Sequence, residues 1–247
     1  MSSLSGIKKL IGLFMPELCS LCGEPIEYGR EGAFCRHCIT KWEMAKRLAR
    51  YDAAGGIPAV DFTELHDEHF GRAIYTAYYD PSEHESVTDM LVFKLKQNCT
   101  SAVLDFAVGE YIGMLRDAAP EIFNSVIKRE EIIVTWIPRR PEAVAKYGYD
   151  HMECVSRLLS ERCGFECRQL IFRDEGSAEQ KTLSSKKRYE NVESSMRIGD
   201  PELSGRTIIM LDDLITTGAS MKFSCSLLAG KGAKTVIAAA LLRAKNY

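Results

Sequence analysis

Two stretches of the sequence hold side chains whose types and spacing could do chemistry. Residues 208–220 read Ile-Ile-Met-Leu-Asp-Asp-Leu-Ile-Thr-Thr-Gly-Ala-Ser, an apolar strand that runs into adjacent carboxylates, then a hydroxyl-rich turn, then a helix. In a parallel sheet such a turn lies at the carboxyl ends of the strands, where these folds bind ligands. Gly218 lets the backbone come close to a ligand. The turn's N–H groups, with the hydroxyls of Thr216, Thr217 and Ser220 and with Ala219 opening the helix, can surround a phosphate. The acceptor-only carboxylates of Asp212 and Asp213 suit a pair of sugar hydroxyls. A phosphate at one end and a diol at the other fit a ribose 5-phosphate. A plain strand end followed by a Thr or Ser helix cap would explain one hydroxyl, but not the order of the residues. The chain contains no G-x-x-x-x-G-K-[ST] and no G-x-G-x-x-G after a strand, which excludes the commonest nucleotide-binding loops.

The second stretch is Cys-x2-Cys-x12-Cys-x2-Cys, formed by Cys19, Cys22, Cys35 and Cys38. Each pair can turn two thiolates onto one ion, and two pairs complete a tetrahedral S4 shell for Zn²⁺. Four thiolates leave no open position for water, so the expected zinc is structural. His37 lies inside the second pair as a bystander. Disulfides would need an oxidising compartment, and the other five of the nine cysteines are scattered. Just beyond, residues 36–50 carry five basic side chains (Arg36, Lys41, Lys46, Arg47, Arg50) against Glu43 alone. With Trp42 among them, Lys41, Lys46, Arg47 and Arg50 form a candidate nucleic-acid surface in which a ring stacks on a base. The alternative is a solvated basic helix face.

The elements that must position these groups follow from periodicity. Strand patterns at 72–79, 132–137, 165–172, 207–211 and 235–242 alternate with helical patterns at 86–97, 101–118, 141–162 and 219–230. That alternation predicts an α/β fold with a parallel sheet covered on both faces. Leu4, Ile7, Leu10, Ile11 and Phe14 place an amphipathic helix at 3–15, and residues 39–50 form another helix. Residues 1–50 thus read as a helix plus cysteine module. Residues 51–70, with Gly55, Gly56, Pro58 and an acidic run, read as a linker, and 71–247 as the α/β domain. Only 176–200 is polar enough for a long mobile loop.

The chain has 247 residues, 32 basic and 34 acidic, a net charge of −2 and 46% hydrophobic residues. This composition excludes a disordered or collagen-like chain. The near-neutral balance gives no global attraction to nucleic acid or membrane, so such binding needs a local patch. The longest apolar run, Val236 to Leu242, is far short of a membrane span, and Lys8 and Lys9 interrupt any secretory signal. A soluble, cytoplasmic protein is the expectation.

Residues 208–220 resemble the phosphoribosyl-pyrophosphate (PRPP) motif of type I phosphoribosyltransferases, and the four-cysteine module ahead of that domain resembles the ComF-type competence family. The resemblance extends to Phe93-Lys94-Leu95, to the Pro138-Arg139-Arg140 turn, and to Arg173, Gln180, Leu183, Arg188, Asn191 and Val192. It implies that Asp212 and Asp213 hold the ribose hydroxyls and that Thr216 to Ser220 cradle the 5-phosphate. It places the turn from Ile137 through Pro138 to Arg140 near the pyrophosphate, neutralised by Mg²⁺ that is bound mainly through ligand oxygens. Residues 176–192, with Arg188, would close over the site. The family's Arg-Gly-Phe-Asn-Gln stretch stands here as Tyr147-Gly148-Tyr149-Asp150-His151, and Trp136 replaces a common proline. The implied partners are PRPP, single-stranded DNA and the competence helicase machinery, in DNA uptake during natural transformation. The competing expectation is an active phosphoribosyltransferase acting on a nitrogen acceptor.

Overall fold

The computed structural model is described over residues 17–27, 32–62, 72–173, 195–199 and 202–245. The strands are β1 (Ala59–Asp61), β2 (Arg72–Tyr79), β3 (Ile132–Trp136), β4 (Glu166–Cys167), β5 (Ile171–Arg173), β6 (Met196–Ile198), β7 (Thr207–Ile215) and β8 (Thr235–Ala244). The helices are α1 (Arg36–Asp52), α2 (Val87–Gln97), α3 (Ser101–Ala118), α4 (Pro141–Tyr147), α5 (His151–Cys163) and α6 (Ala219–Gly230). The first sheet runs β1-β2-β8-β7-β3-β4, parallel from β2 to β4 with β1 antiparallel at one edge; β5 and β6 form a separate antiparallel pair.

Helix boundaries follow from local chemistry. Ser86 accepts a hydrogen bond from the Asp89 N–H and Thr100 one from Val103, which fixes the starts of α2 and α3. Pro141 opens α4, and Gly148, at φ +81°, closes it. The helical pattern expected over 141–162 is therefore two helices, because a left-handed glycine stops the first. The expected strand at 165–172 likewise divides: β4 extends the main sheet and β5 leaves it to pair with β6.

Side chains alternate along β7, so the strand serves two cores. Ile209 and Leu211 pack in the cluster that holds α2, α3 and α5, whereas Ile208 and Met210 pack with Met221, Cys225 and Leu228 of α6. The expected parallel sheet with helices on both faces is what the chain forms.

The cysteine module is seated on the first of these cores. Phe34 and Trp42 both meet the Phe106 ring of α3 edge-on, at centroid distances of 4.8 and 5.5 Å. Within the stretch whose composition reads as a linker, α1 continues to Asp52 and Ala59–Asp61 joins the sheet by pairing with Arg72 to Ile74. Phe62, next in sequence, is buried. Most of the remainder of that stretch, and the expected helix at 3–15, lie outside the described residues.

Candidate functional site

β7 stays in register with β8 as far as Ile215, so both acidic residues are strand residues at its carboxyl end. Their side chains fall on opposite faces. Asp212 continues the Ile208–Met210 face, toward α6. Asp213 continues the Ile209–Leu211 face, toward α2 and α5.

Asp213 is buried and closely engaged. Lys96 Nζ, from the last turn of α2, lies 2.6 Å from its Oδ2, and His151 Nε2, from the first turn of α5, lies 3.3 Å from the same oxygen. Burial favours the protonated acid, but the Lys96 ammonium and His151 outweigh it and hold the carboxyl well below the usual carboxylate range. Asp212 is pushed the other way, well above that range, by burial and by the neighbouring Asp213 charge. Its carbonyl accepts the Tyr111 hydroxyl, and its Oδ1 accepts the Asp213 N–H at 2.9 Å. Arg173 reaches the same side and donates Nε to the Pro138 carbonyl at 2.7 Å; burial lowers its pKa despite the Asp212 charge nearby.

Thr216 and Thr217 are exposed, and Gly218 sits at φ +76° immediately before α6, where an added Cβ would lie 2.8 Å from the Phe62 ring. Thr217 Oγ1 accepts weakly from the Ala219 N–H at 3.4 Å. The turn thus presents hydroxyls and first-turn helix N–H groups at the end of the sheet, with Ala219 and Ser220 partly exposed beside them.

The turn after β3 carries Pro138, Arg139 and Arg140. Pro138 is buried and Arg140 caps α4. The Arg139 guanidinium donates to the Lys96 carbonyl at 2.7 Å and lies over the Tyr147 ring at 4.5 Å, while its N–H donates to Asp150 at 2.8 Å. Tyr149 donates its hydroxyl to the Leu95 carbonyl and accepts the Cys99 N–H. The segment that departs from the family's pattern, 147–151, therefore fastens the end of α2, and with it Lys96, to the strand-end site.

Periodicity carried a signal for two residues that motif reasoning left out. Lys96 follows Val92 by four residues and so lies on a buried stripe, as Lys94 does by following Leu91 by three. His151 likewise heads the buried stripe Val155–Leu159. Arg188, with the rest of the expected closing loop, lies outside the described residues.

The four cysteine sulfurs lie within 4.8 Å of one another, and Cys22 Sγ is 3.7 Å from Cys35 Sγ. A tetrahedron with metal–sulfur bonds of about 2.3 Å has edges of roughly 3.8 Å, so the cluster fits one tetrahedral ion. Gly23 takes the left-handed turn of the first pair, donating to the Cys19 carbonyl at 2.8 Å. Glu27 of that knuckle caps α1 by accepting the Arg36 N–H.

The basic helix is less open than its sequence suggests. Trp42 is buried against Phe106 and is a core residue, which corrects its expected role as a base-stacking ring. Lys46 is paired with Glu43 and Glu110, at 3.1 and 2.9 Å, and Arg50 with Asp117. Lys41 and Arg47 remain exposed.

The phosphoribosyl transferase domain family matches residues 152–247, the span that includes α5 from its second residue, both acidic residues and the 216–220 turn. The carboxyl-terminal part of the chain is thus similar to phosphoribosyl transferase domains, and a four-cysteine cluster precedes it. Over 235 residues, covering 91% of this chain and 96% of theirs, it is 24% identical to the DNA utilization protein YhgH of Shigella flexneri and 25% identical to that of Escherichia coli O6:H1. One solved structure, described as an allosteric regulatory enzyme of purine biosynthesis, aligns over 61% of this chain and 29% of its own, with 13% identity and a TM-score of 0.34. Among the described residues no helix is long and apolar enough to cross a membrane.

Proposed function

We propose that the strand-end site binds PRPP together with Mg²⁺, and that the protein serves the handling of single-stranded DNA during uptake, in the cytoplasm. One observation carries the binding reading: Asp212, the Thr216–Ser220 turn with its left-handed Gly218, and the start of α6 share one face at the carboxyl end of a parallel sheet. A carboxylate for sugar hydroxyls thereby stands beside donors for a phosphate. Mg²⁺, when bound, neutralises the pyrophosphate and is held mainly by ligand oxygens and water. The DNA role is supported by the name of the relatives matched over most of both chains, the DNA utilization proteins. In the cysteine module the donor set and spacing support Zn²⁺ as a structural ion. Lys41 and Arg47 supply the exposed cations for a nucleic-acid backbone, and the competence helicase machinery is the proposed protein partner.

Catalytic transfer of ribose 5-phosphate from PRPP to a nitrogen acceptor is the second reading, favoured by the complete Asp-Asp to Thr-Thr-Gly-Ala-Ser order. Calorimetric titration of Mg²⁺ and PRPP into zinc-loaded protein tests the shared step. Saturable binding that Asp212→Asn abolishes is expected; a folded wild type that takes up no PRPP ends both readings. Pyrophosphate release in an acceptor screen, with and without single-stranded DNA, then separates them.

A further inference from the structure

The resemblance assigns the two acidic residues of β7 one shared task, but their surroundings differ. Asp213 lies on the α2–α5 face, with a side chain only 7% exposed, and its outer oxygen is taken up by Lys96 and His151. The Lys96 side chain is 34% exposed, so Lys96 is the more accessible member of the pair. An ammonium has three donors, and Asp213 does not exhaust them.

The position of Lys96 is fixed from several directions. Its carbonyl accepts Arg139 of the turn after β3, and the preceding carbonyl, that of Leu95, accepts Tyr149. His151 lies between two carboxylates, 3.3 Å from Asp213 and 3.9 Å from Asp150, and Asp150 in turn accepts the Arg139 N–H. A closed set of contacts thus ties the last turn of α2 to the β3 turn and to the end of β7. Lys96 stands on the β3-turn side of the site, and the phosphate turn of 216–220 on the other. On the proposed orientation of the sugar phosphate, the side of Lys96 is that of the pyrophosphate.

We propose that Lys96 is a binding residue for the pyrophosphate group of the activated sugar, and that Asp213 and His151 are positioning residues that aim it. This rests on the reading of the site as a PRPP site. The charge balance accords with it: burial works against the ammonium, but Asp213 keeps Lys96 protonated. The cation is therefore present before any anion arrives, and little rearrangement is needed to use it.

The test compares Mg²⁺–PRPP with ribose 5-phosphate, which lacks the pyrophosphate, in calorimetric titrations of the full chain. Lys96→Gln should lower PRPP affinity about tenfold or more, the scale of one charge-assisted contact, and change ribose 5-phosphate affinity less than about twofold. Lys96→Arg should restore part of the loss. Because Lys96→Gln strands a buried carboxylate, the double variant Lys96→Gln/Asp213→Asn removes both charges and should recover thermal stability without recovering PRPP affinity. Asp212→Asn should weaken both ligands. PRPP affinity unchanged in Lys96→Gln, equal losses on both ligands, or full recovery in the double variant would each overturn the assignment while leaving the PRPP site in place. Wild type that binds neither ligand overturns both.

Discussion

Asp212 and Asp213 share a peptide bond but make opposite contributions to stability. Asp213 is held below its free pKa, so its ionised form stabilises the fold above about pH 4, the unperturbed value, and that contribution fades as the pH falls below it. Asp212 is held above its free value, so its ionisation costs stability at neutral pH, and the cost is relieved on acidification. Asp213→Asn should therefore destabilise the protein at pH 7, by about 1–3 kcal/mol, because it leaves the partly exposed Lys96 without its carboxylate partner. Asp212→Asn should raise the melting temperature even as it removes the proposed PRPP binding. Thermal unfolding of both variants from pH 3 to pH 8 checks this, with both differences shrinking toward acid. Equal destabilisation by the two substitutions would show that the faces are not distinct.

At the scale of the element, the 216–220 turn depends on a residue far away in sequence. Gly218 needs both its positive φ and the absence of a Cβ, because the Phe62 ring occupies the space. Gly218→Ala should cost roughly 1–3 kcal/mol in urea unfolding. Adding Phe62→Ala should relieve the contact but not the backbone strain, so recovery will be partial; full recovery would mean the backbone there is unstrained.

The elements also separate what the sequence reveals from what it hides. β2 and α6 lie where periodicity places them, to the residue, because each is an uninterrupted pattern between clear stops. β7 runs four residues past its expected end at 211, since apolar counting stops at the carboxylates and sheet pairing with β8 does not. The phosphate turn and the cysteine cluster are local patterns, visible in one stretch of chain. The Lys96–Asp213–His151 contact joins three elements, and the spacing of no single stretch encodes it.

Across the whole molecule, the cysteine module and the α/β part share a core through Phe34, Trp42 and Phe106. Removal of the proposed zinc should consequently be felt beyond the knuckles. Chelation should release about one zinc per chain, red-shift the fluorescence of Trp42 as it meets water, and lower the melting temperature of the entire protein. Trp136 is the second of the two tryptophans, and Trp136→Phe leaves Trp42 as the sole reporter. Metal release with an unchanged Trp42 spectrum would mean that packing on Phe106, and not the ion, orders the module. A Phe106→Ala variant should loosen the same joint from the other side, by about 3–5 kcal/mol.

The small edge strand β1 bears on where the chain can be divided. Composition draws a boundary near residue 70, but β1 covers one side of β2, and Phe62, immediately after β1, is the ring that packs on Gly218. A fragment begun at residue 71 would keep every residue of the 216–220 turn and lose the ring behind it. It would also bare the edge of β2 from Arg72 to Tyr75, open to pairing with other copies. For anyone dissecting the protein, a preparation of that fragment that precipitates or fails to bind ligand would record the missing strand, not an inert site.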